Sequence, residues 1–502
     1  MTAPLSSPAA SPGDDAGQNR RRRIRTRTTA GNTGGRSALE VAAVAAVVPD
    51  AVREPIAEDD SAIPEPVDLA DDLPVDVADE GTADPESNAI PLLEPRDGVP
   101  EPLVTVQAVA AYATRLAAGT GPVAVDAERA SGYRYGQRAY LVQIRREGVG
   151  TALIDPIAVP DLSPIGRAIG DTEWVLHAAS QDLTCLAEVG MVPRLLFDTE
   201  LGARLAGFDR VGLGALVEEL LGLRLEKGHS AADWSTRPLP RDWLVYAALD
   251  VEILIELRDK VRDRLVETGK LAWAEEEFSA LLSAPVPTPR VDPWRRTSGM
   301  HSLRSARQLA ALRALWTARD DVARRRDIAP GRILHDKAMV AGVLADPDTA
   351  EAMVALPVFR GRANRKLMRT WFGALQQARA LPDGELPALT LPGNGPPPPN
   401  RWAEREPAAA ARLAAARVAM AELVELHGVP TENLLSPDLL RRLAWEPPKP
   451  LTAQTLSTRL RDGGAREWQI TLTAGPLTTA LANPEKAVMS GSGPDPQASP
   501  AG

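Results

Sequence analysis

Cysteine is almost missing from this chain of 502 residues: Cys185 is the only one, so there is no internal disulfide and no multi-cysteine zinc site. Long apolar runs are missing too. Near the start the longest, Val41 to Val48, falls far short of the roughly 18 residues that span a bilayer. No membrane partner is expected. The first hundred residues lack aromatics and any sustained hydrophobic period, and they are rich in Pro, Ser, Gly and Asp. Such a segment cannot bury enough apolar surface to offset its chain entropy, so 1–100 reads as a disordered tail. Over the whole chain, 44% apolar and 25% charged residues suit a soluble globular protein of about three domains.

Charge is unevenly placed. Residues 1–40 carry a net +4 and residues 41–100 a net −14, so the whole-chain value of −10 belongs to the front and leaves 101–502 neutral. An acidic protein is therefore no argument against a nucleic-acid partner. Arg20 to Arg23 ahead of Val41 to Val48 superficially resembles a secretion signal, but Glu40 interrupts it and no clean cleavage pattern precedes Pro49. A cytoplasmic location is expected.

From about Pro102 short strands and helices alternate. Val123–Val125, Ala139–Ile144 and Thr151–Ile154 read as strands before any helix, an antiparallel start. Trp174–Leu176 and Leu195–Phe197 follow, each succeeded by a helical stretch, which makes a mixed sheet flanked by helices. One long helix is predicted from near Pro240, with Leu244, Ala248, Val251 and Ile255 as its buried stripe. Proline-rich boundaries then separate the remaining parts. The expected division is a tail over 1–100, a catalytic domain over 101–285, a linker over 286–300, a helical domain over 301–380, a second linker over 381–402, a second helical domain over 403–482 and a tail over 483–502.

Four acids sit where elements end. Asp126 and Glu128 are two apart on an extended segment, so both carboxylates face one side. Asp182 opens the helix after the fourth strand, and Tyr246 stands one helical turn before Asp250 on the same face. Converging carboxylates without His or Cys suit hard divalent cations, Mg²⁺ or Mn²⁺. Two such ions about 4 Å apart can activate a water, hold a phosphate and neutralise a leaving oxyanion. Each acid alone says little, since an Asp after a strand is more often a turn or cap residue. The set is more specific.

These runs, Val125–Glu128, His177–Leu183 and Tyr246–Asp250, resemble the three motifs of the DEDDy 3′→5′ exonucleases, and within them bacterial ribonuclease D. Lys227–Leu239, leading into Tyr246–Val251, resembles that family's signature, and the likeness covers about 102–285. It extends more loosely into 302–380, which looks like the helicase-and-ribonuclease-D C-terminal (HRDC) module. The resemblance implies a ribonuclease H-like mixed-sheet α/β exonuclease domain followed by all-α HRDC-type domains. It also implies roles. Asp126, Glu128 and Asp250 would bind the ion that activates water, Asp126 would bridge to a second ion, and Asp182 would serve that second site. Tyr246 would orient the nucleophilic water. Ala127 departs from the Thr or Ser common in the family, but it points away from the acids.

The remaining candidates have bland competitors. Lys227 is a phosphate contact by resemblance and a solvated lysine by base rate. His177 and Cys185 read as structural, His229 is ambiguous, and Trp234 and Trp243 are core residues by default that could stack on a base. Residues 301–380 carry fifteen Lys or Arg against seven acids, including Arg324, Arg325, Arg326, Arg362, Arg365 and Lys366. A basic surface of that kind attracts a polyanion by counterion release.

The resulting expectation is a metal-dependent exoribonuclease acting on single-stranded RNA 3′ ends, such as those of tRNA precursors. It would release nucleoside 5′-monophosphates and have no stable protein partner. A DNA exonuclease uses the same acids and tyrosine, so DNA stays open as a substrate. A binding scaffold without turnover is the third reading.

Overall fold

The computed structural model describes residues 88–226, 228–285, 290–391 and 395–485. The expectations for the rest of the front and rear tails, and for Lys227, lie outside these residues.

Five strands form the central sheet: β2 (Thr120–Arg129), β3 (Ala139–Glu147), β4 (Gly150–Ile154), β5 (Glu173–Leu176) and β6 (Leu195–Asp198). Their spatial order is β4-β3-β2-β5-β6. β2, β3 and β4 pair antiparallel, whereas β2–β5 and β5–β6 pair parallel. This is the mixed sheet expected from the sequence. A separate parallel pair joins β1 (Ile90–Leu92) to β7 (Leu223–Leu225). The folded region therefore begins earlier than the 101 boundary. Arg96 pairs with Glu256 at 2.5 Å and Asp97 with Arg145 at 2.9 Å, which fixes the 88–100 stretch to the nuclease.

Period-two alternation decides the two faces of β2. Val123, Val125 and Ala127 join one apolar cluster with Tyr112 and Leu116 of the helix Val106–Ala118. Asp126 and Glu128 stand opposite Gln143 and Leu141 of β3. Leu141 belongs to the other face, with Trp234, Leu244, Ala247 and Ala248. The helix Arg241–Glu252 covers that face. The single long helix predicted here is two, Arg241–Glu252 and Leu254–Glu267, divided at Ile253. Ile255 thus belongs to the second helix. Pro240 is the N-cap rather than a first-turn residue.

Two helical bundles follow. The first has its own core, built on Trp294, Phe359 and Trp371. Trp294 lies inside the predicted 286–300 linker, so part of that linker is structural. The second bundle shares one continuous core with the nuclease sheet, through Trp402, Leu413, Met420, Leu460, Trp468 and Leu477. Each contains a helix of 21 residues followed by one of 4 and then one of 10 or 9, and in the second bundle the short helix Trp402–Arg405 comes before them.

Candidate active site

The fold brings Asp126, Glu128 and Asp250 together: one carboxylate oxygen of each lies within 4.8 Å of the others. This is the one such group of potential ligands among the described residues. Asp126 and Glu128 reach the cluster because alternation on β2 aims both at the overlying helix, and Asp250 descends from that helix. Tyr246, one turn earlier, donates its O–H to Asp250. Its ring is framed by His229 at 5.8 Å and Trp234 at 6.4 Å between centroids.

Asp182 comes from a different element, the short 3₁₀ turn Ala179–Gln181 that runs into the helix Leu183–Glu188. Asp198 builds that turn. Its carboxylate accepts from the backbone N–H of Ala178 and Ala179 at 3.0 and 2.9 Å while capping its own helix at Glu200 and Leu201. The left-handed Ala178, φ 58°, is held by these bonds. His177 hydrogen-bonds Thr199 at 2.9 Å and burial pushes its pKa down to about 4, so it is neutral and structural.

The carboxyls repel one another in a dry setting. Burial first, then mutual repulsion, holds Glu128 and Asp250 well above the ordinary carboxylate range. Burial, followed by the charge of Asp126, pushes Asp182 up to about 8. Asp126 is also raised, chiefly by burial. Tyr246 is raised by burial and by Asp250, Glu128 and Asp126, which keeps the phenol protonated. Several carboxylates confined this closely need positive charge to be ionised together.

The donor set fits a hard divalent cation. Every candidate ligand atom is a carboxylate oxygen, with no thiolate or imidazole among them. One buried polar group beside the acids is also unsatisfied: Gln143, fully buried opposite Asp126, hydrogen-bonds through neither amide atom. Asp182 Oδ1 accepts no hydrogen bond and has the Arg129 guanidinium 3.4 Å away. Buried polar atoms are normally paired, and the Gln143 amide fits a site that takes a further ligand.

The chain matches the model of the 3′–5′ exonuclease domain over 102–266, of the HRDC domain over 308–375, and of the 3′ to 5′ exonuclease C-terminal domain over 395–481. It is 36% identical over 304 residues to a ribonuclease D of Granulibacter bethesdensis, covering 59% of this chain and 74% of that one. The chain belongs to the ribonuclease D family. A ribonuclease D of Acidiphilium cryptum is 34% identical over 70% of this chain and 89% of its own. Among solved structures, a protein from Bifidobacterium adolescentis superposes with a TM-score of 0.74 at 39% identity, over 78% of this chain and all of that one. Escherichia coli RNase D, an exoribonuclease involved in structured RNA processing, gives 0.57 at 26% identity, over 76% and 98%. Family membership makes this protein a metal-dependent 3′→5′ exonuclease with a helical C-terminal region.

Other predicted residues fall outside the carboxylate cluster. Trp234 is fully buried and donates to His229 O at 3.1 Å, so it is core and does not stack on a base. Trp243 packs against it at 5.3 Å. Cys185 is a buried group, as expected. Arg325, Arg326, Arg362, Arg365 and Lys366 are exposed. Arg324 is engaged instead: it pairs with Asp320 at 2.5 Å and its guanidinium lies 5.7 Å from the Tyr135 ring centroid.

Three residues escape a reading of the sequence. Asp198 has no motif to mark it. Arg237 clamps the signature loop to the sheet through Asp155 at 2.7 Å and Tyr140 O at 2.7 Å. The third is Arg129, which directly follows Glu128.

Proposed function

We propose that this protein hydrolyses RNA from the 3′ end, releasing nucleoside 5′-monophosphates, with two divalent ions, Mg²⁺ or Mn²⁺, in the carboxylate cluster. The reading is carried by the convergence of Asp126, Glu128 and Asp250 on one point. Asp126, Glu128 and Asp250 would hold one ion, and Asp126 with Asp182 the other. Bound there, the ions supply a nucleophile at neutral pH and offset charge on the phosphate and the leaving oxygen.

The rest is the chain's own work. Tyr246 stays protonated, donates to Asp250 and keeps its oxygen lone pairs for positioning a water rather than for taking its proton. His229 and Trp234 hold the phenol ring in place. The exposed arginines of the first bundle, together with Lys227, would contact the phosphodiester backbone without regard to sequence. Structured stable RNA, including tRNA precursors, is the proposed substrate, and the cytoplasm the proposed location. No helix among the described residues is long and apolar enough to cross a membrane. The matching helix lengths support reading the second bundle as a divergent copy of the first.

The test is digestion of an end-labelled RNA and its matched DNA with Mg²⁺ or Mn²⁺, by wild type and Asp250→Asn. Stepwise shortening from the 3′ end, abolished by chelator and reduced at least about 10³-fold in the variant, is expected. Faster loss of the DNA overturns the ribonuclease reading, and RNA binding without shortening overturns catalysis.

A further inference from the structure

Arg129 occupies a place the general chemistry of the site does not require. Strict alternation would turn it away from Glu128, its chain neighbour. The β2–β3 ladder, however, slips by one residue between Glu128 and Arg129, and such irregularities re-aim side chains. The guanidinium consequently crosses to the second motif. Nη1 donates to Gln181 O at 2.9 Å, Nη2 to Gln181 Oε1 at 3.3 Å, and Nη2 lies 3.4 Å from Asp182 Oδ1. The side chain keeps 24% of its surface exposed, against 7% for that of Asp182. It is anchored at its tip yet has an opening toward solvent.

Its charge bears on three of the four acids. Arg129 favours the ionised forms of Asp126, Glu128 and Asp182. In the free protein it pairs with Asp182 wherever that carboxyl is ionised, Nη2 lying 3.4 Å from Oδ1. A divalent ion on Asp182 would stand within a few Å of the guanidinium, and like charges at that range repel strongly away from bulk water. Arg129 and a cation therefore compete for one carboxylate. A phosphodiester changes the balance, because its non-bridging oxygens accept two parallel N–H bonds from a guanidinium.

Resting on the metal-holding reading of the carboxylates, we propose that Arg129 is an internal competitor for Asp182 that ties cation loading at that carboxylate to bound RNA. With no RNA, Arg129 holds Asp182 and the cation there binds weakly. RNA offers the guanidinium a phosphate and frees Asp182. Affinities that change each other in this way are reciprocal, so RNA and cation raise one another's binding. Arg129 is a positioning residue for Asp182 and a substrate contact in the loaded state.

The experiment is a calorimetric Mn²⁺ titration of the full-length protein without RNA, for wild type, Arg129→Gln and Arg129→Lys. Wild type should show one tight and one weak site. Arg129→Gln should tighten the weak site by about tenfold, the scale typical of a changed neighbour to a metal ligand. Arg129→Lys, which keeps the charge, should leave the weak site close to wild type. In an Asp182→Asn background, Arg129→Gln should no longer tighten the weak site. A second readout is the Mg²⁺ concentration giving half-maximal hydrolysis. It should fall as RNA is raised in wild type and be independent of RNA in Arg129→Gln. The proposal is overturned if the weak site is unchanged or weakened in Arg129→Gln. A merely structural role through Gln181 gives that second result. Persistence of the RNA-dependent Mg²⁺ requirement in the variant overturns it equally. Equal Mn²⁺ binding by wild type and Asp126→Asn sinks the metal-holding reading itself, and this inference with it.

Discussion

The two helical bundles share a run of helix lengths but join the nuclease by different physics. The second is fused to it. Trp468 stacks on Trp273 of the nuclease at 5.0 Å and 11°, and Glu277 accepts from the Trp468 indole N–H at 3.0 Å and pairs with Arg466. Glu276 accepts from the N–H of Glu467, satisfying the first turn of the last helix at 3.0 Å. Gly207, at φ 90°, sits so near Gly428 O that a Cβ there would approach to 2.9 Å. The first bundle instead docks mainly through polar groups, with the Tyr135 ring packed against its apolar core. Tyr135 O–H donates to Asp320 at 3.1 Å, Ala329 N–H to Tyr133 O at 2.9 Å, and Arg332 lies 4.0 Å from the Tyr133 ring centroid. All of that contact falls on the loop between β2 and β3, directly after the catalytic strand. An apolar seam makes one folding unit, whereas a polar seam makes a platform that can detach.

The largest expected effect tests the fused seam. Trp468→Ala should cost about 3–5 kcal/mol and lower the melting of the nuclease itself, because the cavity opens in the shared core. Trp371→Ala should cost as much but only in the first bundle. Calorimetry should then show that bundle melting alone, with hydrolysis of very short RNAs retained. If Trp468→Ala leaves nuclease melting unchanged, the single-core description is wrong.

A middle-sized effect separates the regions by their response to metal. Asp182 is raised to about 8 in the metal-free protein. A carboxyl that binds protons more tightly when folded stabilises at low pH, and that stability is lost as pH rises through the folded value. Divalent cations bind only the ionised form, so Mg²⁺ should raise the melting temperature of the nuclease little at pH 6 and most near pH 9. The melting of the first bundle should not respond. Asp182→Asn should flatten the pH dependence of the Mg²⁺ gain, and an unaltered slope would remove Asp182 from the site.

The smallest effect concerns the polar dock. Tyr135→Phe removes the hydrogen bond donated to Asp320 and the one accepted from Arg324, and should cost about 1–2 kcal/mol at that seam. Degradation of long structured RNA should slow a few-fold while that of short RNA is unchanged. Loss of both together would mean that the dock holds the catalytic strand in place.

The difference between bundles was invisible in the sequence for a plain reason. Leu413, Ala416 and Met420 recur three or four apart, as Leu309, Leu312 and Leu315 do, and periodicity reports that a face is buried without saying against what. The boundary at residue 101 failed similarly, because Ile90–Leu92 is too short to show a period and owes its existence to pairing with Leu223–Leu225. The helix break at Ile253 carries no Gly or Pro. Nor could alternation anticipate Arg129, since a slip in a ladder is a property of two strands.

Spacing alone put Asp126 beside Glu128 and Tyr246 beside Asp250, because two apart on a strand and four apart on a helix are neighbours whatever else the chain does. Asp182 stood out by its place at the start of the helix after the fourth strand, and motif likeness gave it a role. Bringing the strand, the turn and the helix to one point required the sheet order β4-β3-β2-β5-β6 and the packing of Arg241–Glu252 across it. The packing also decided which bundle shares the core and which cation faces the acids. Contacts between residues hundreds of positions apart are set by burial and register, and neither is encoded in any one segment.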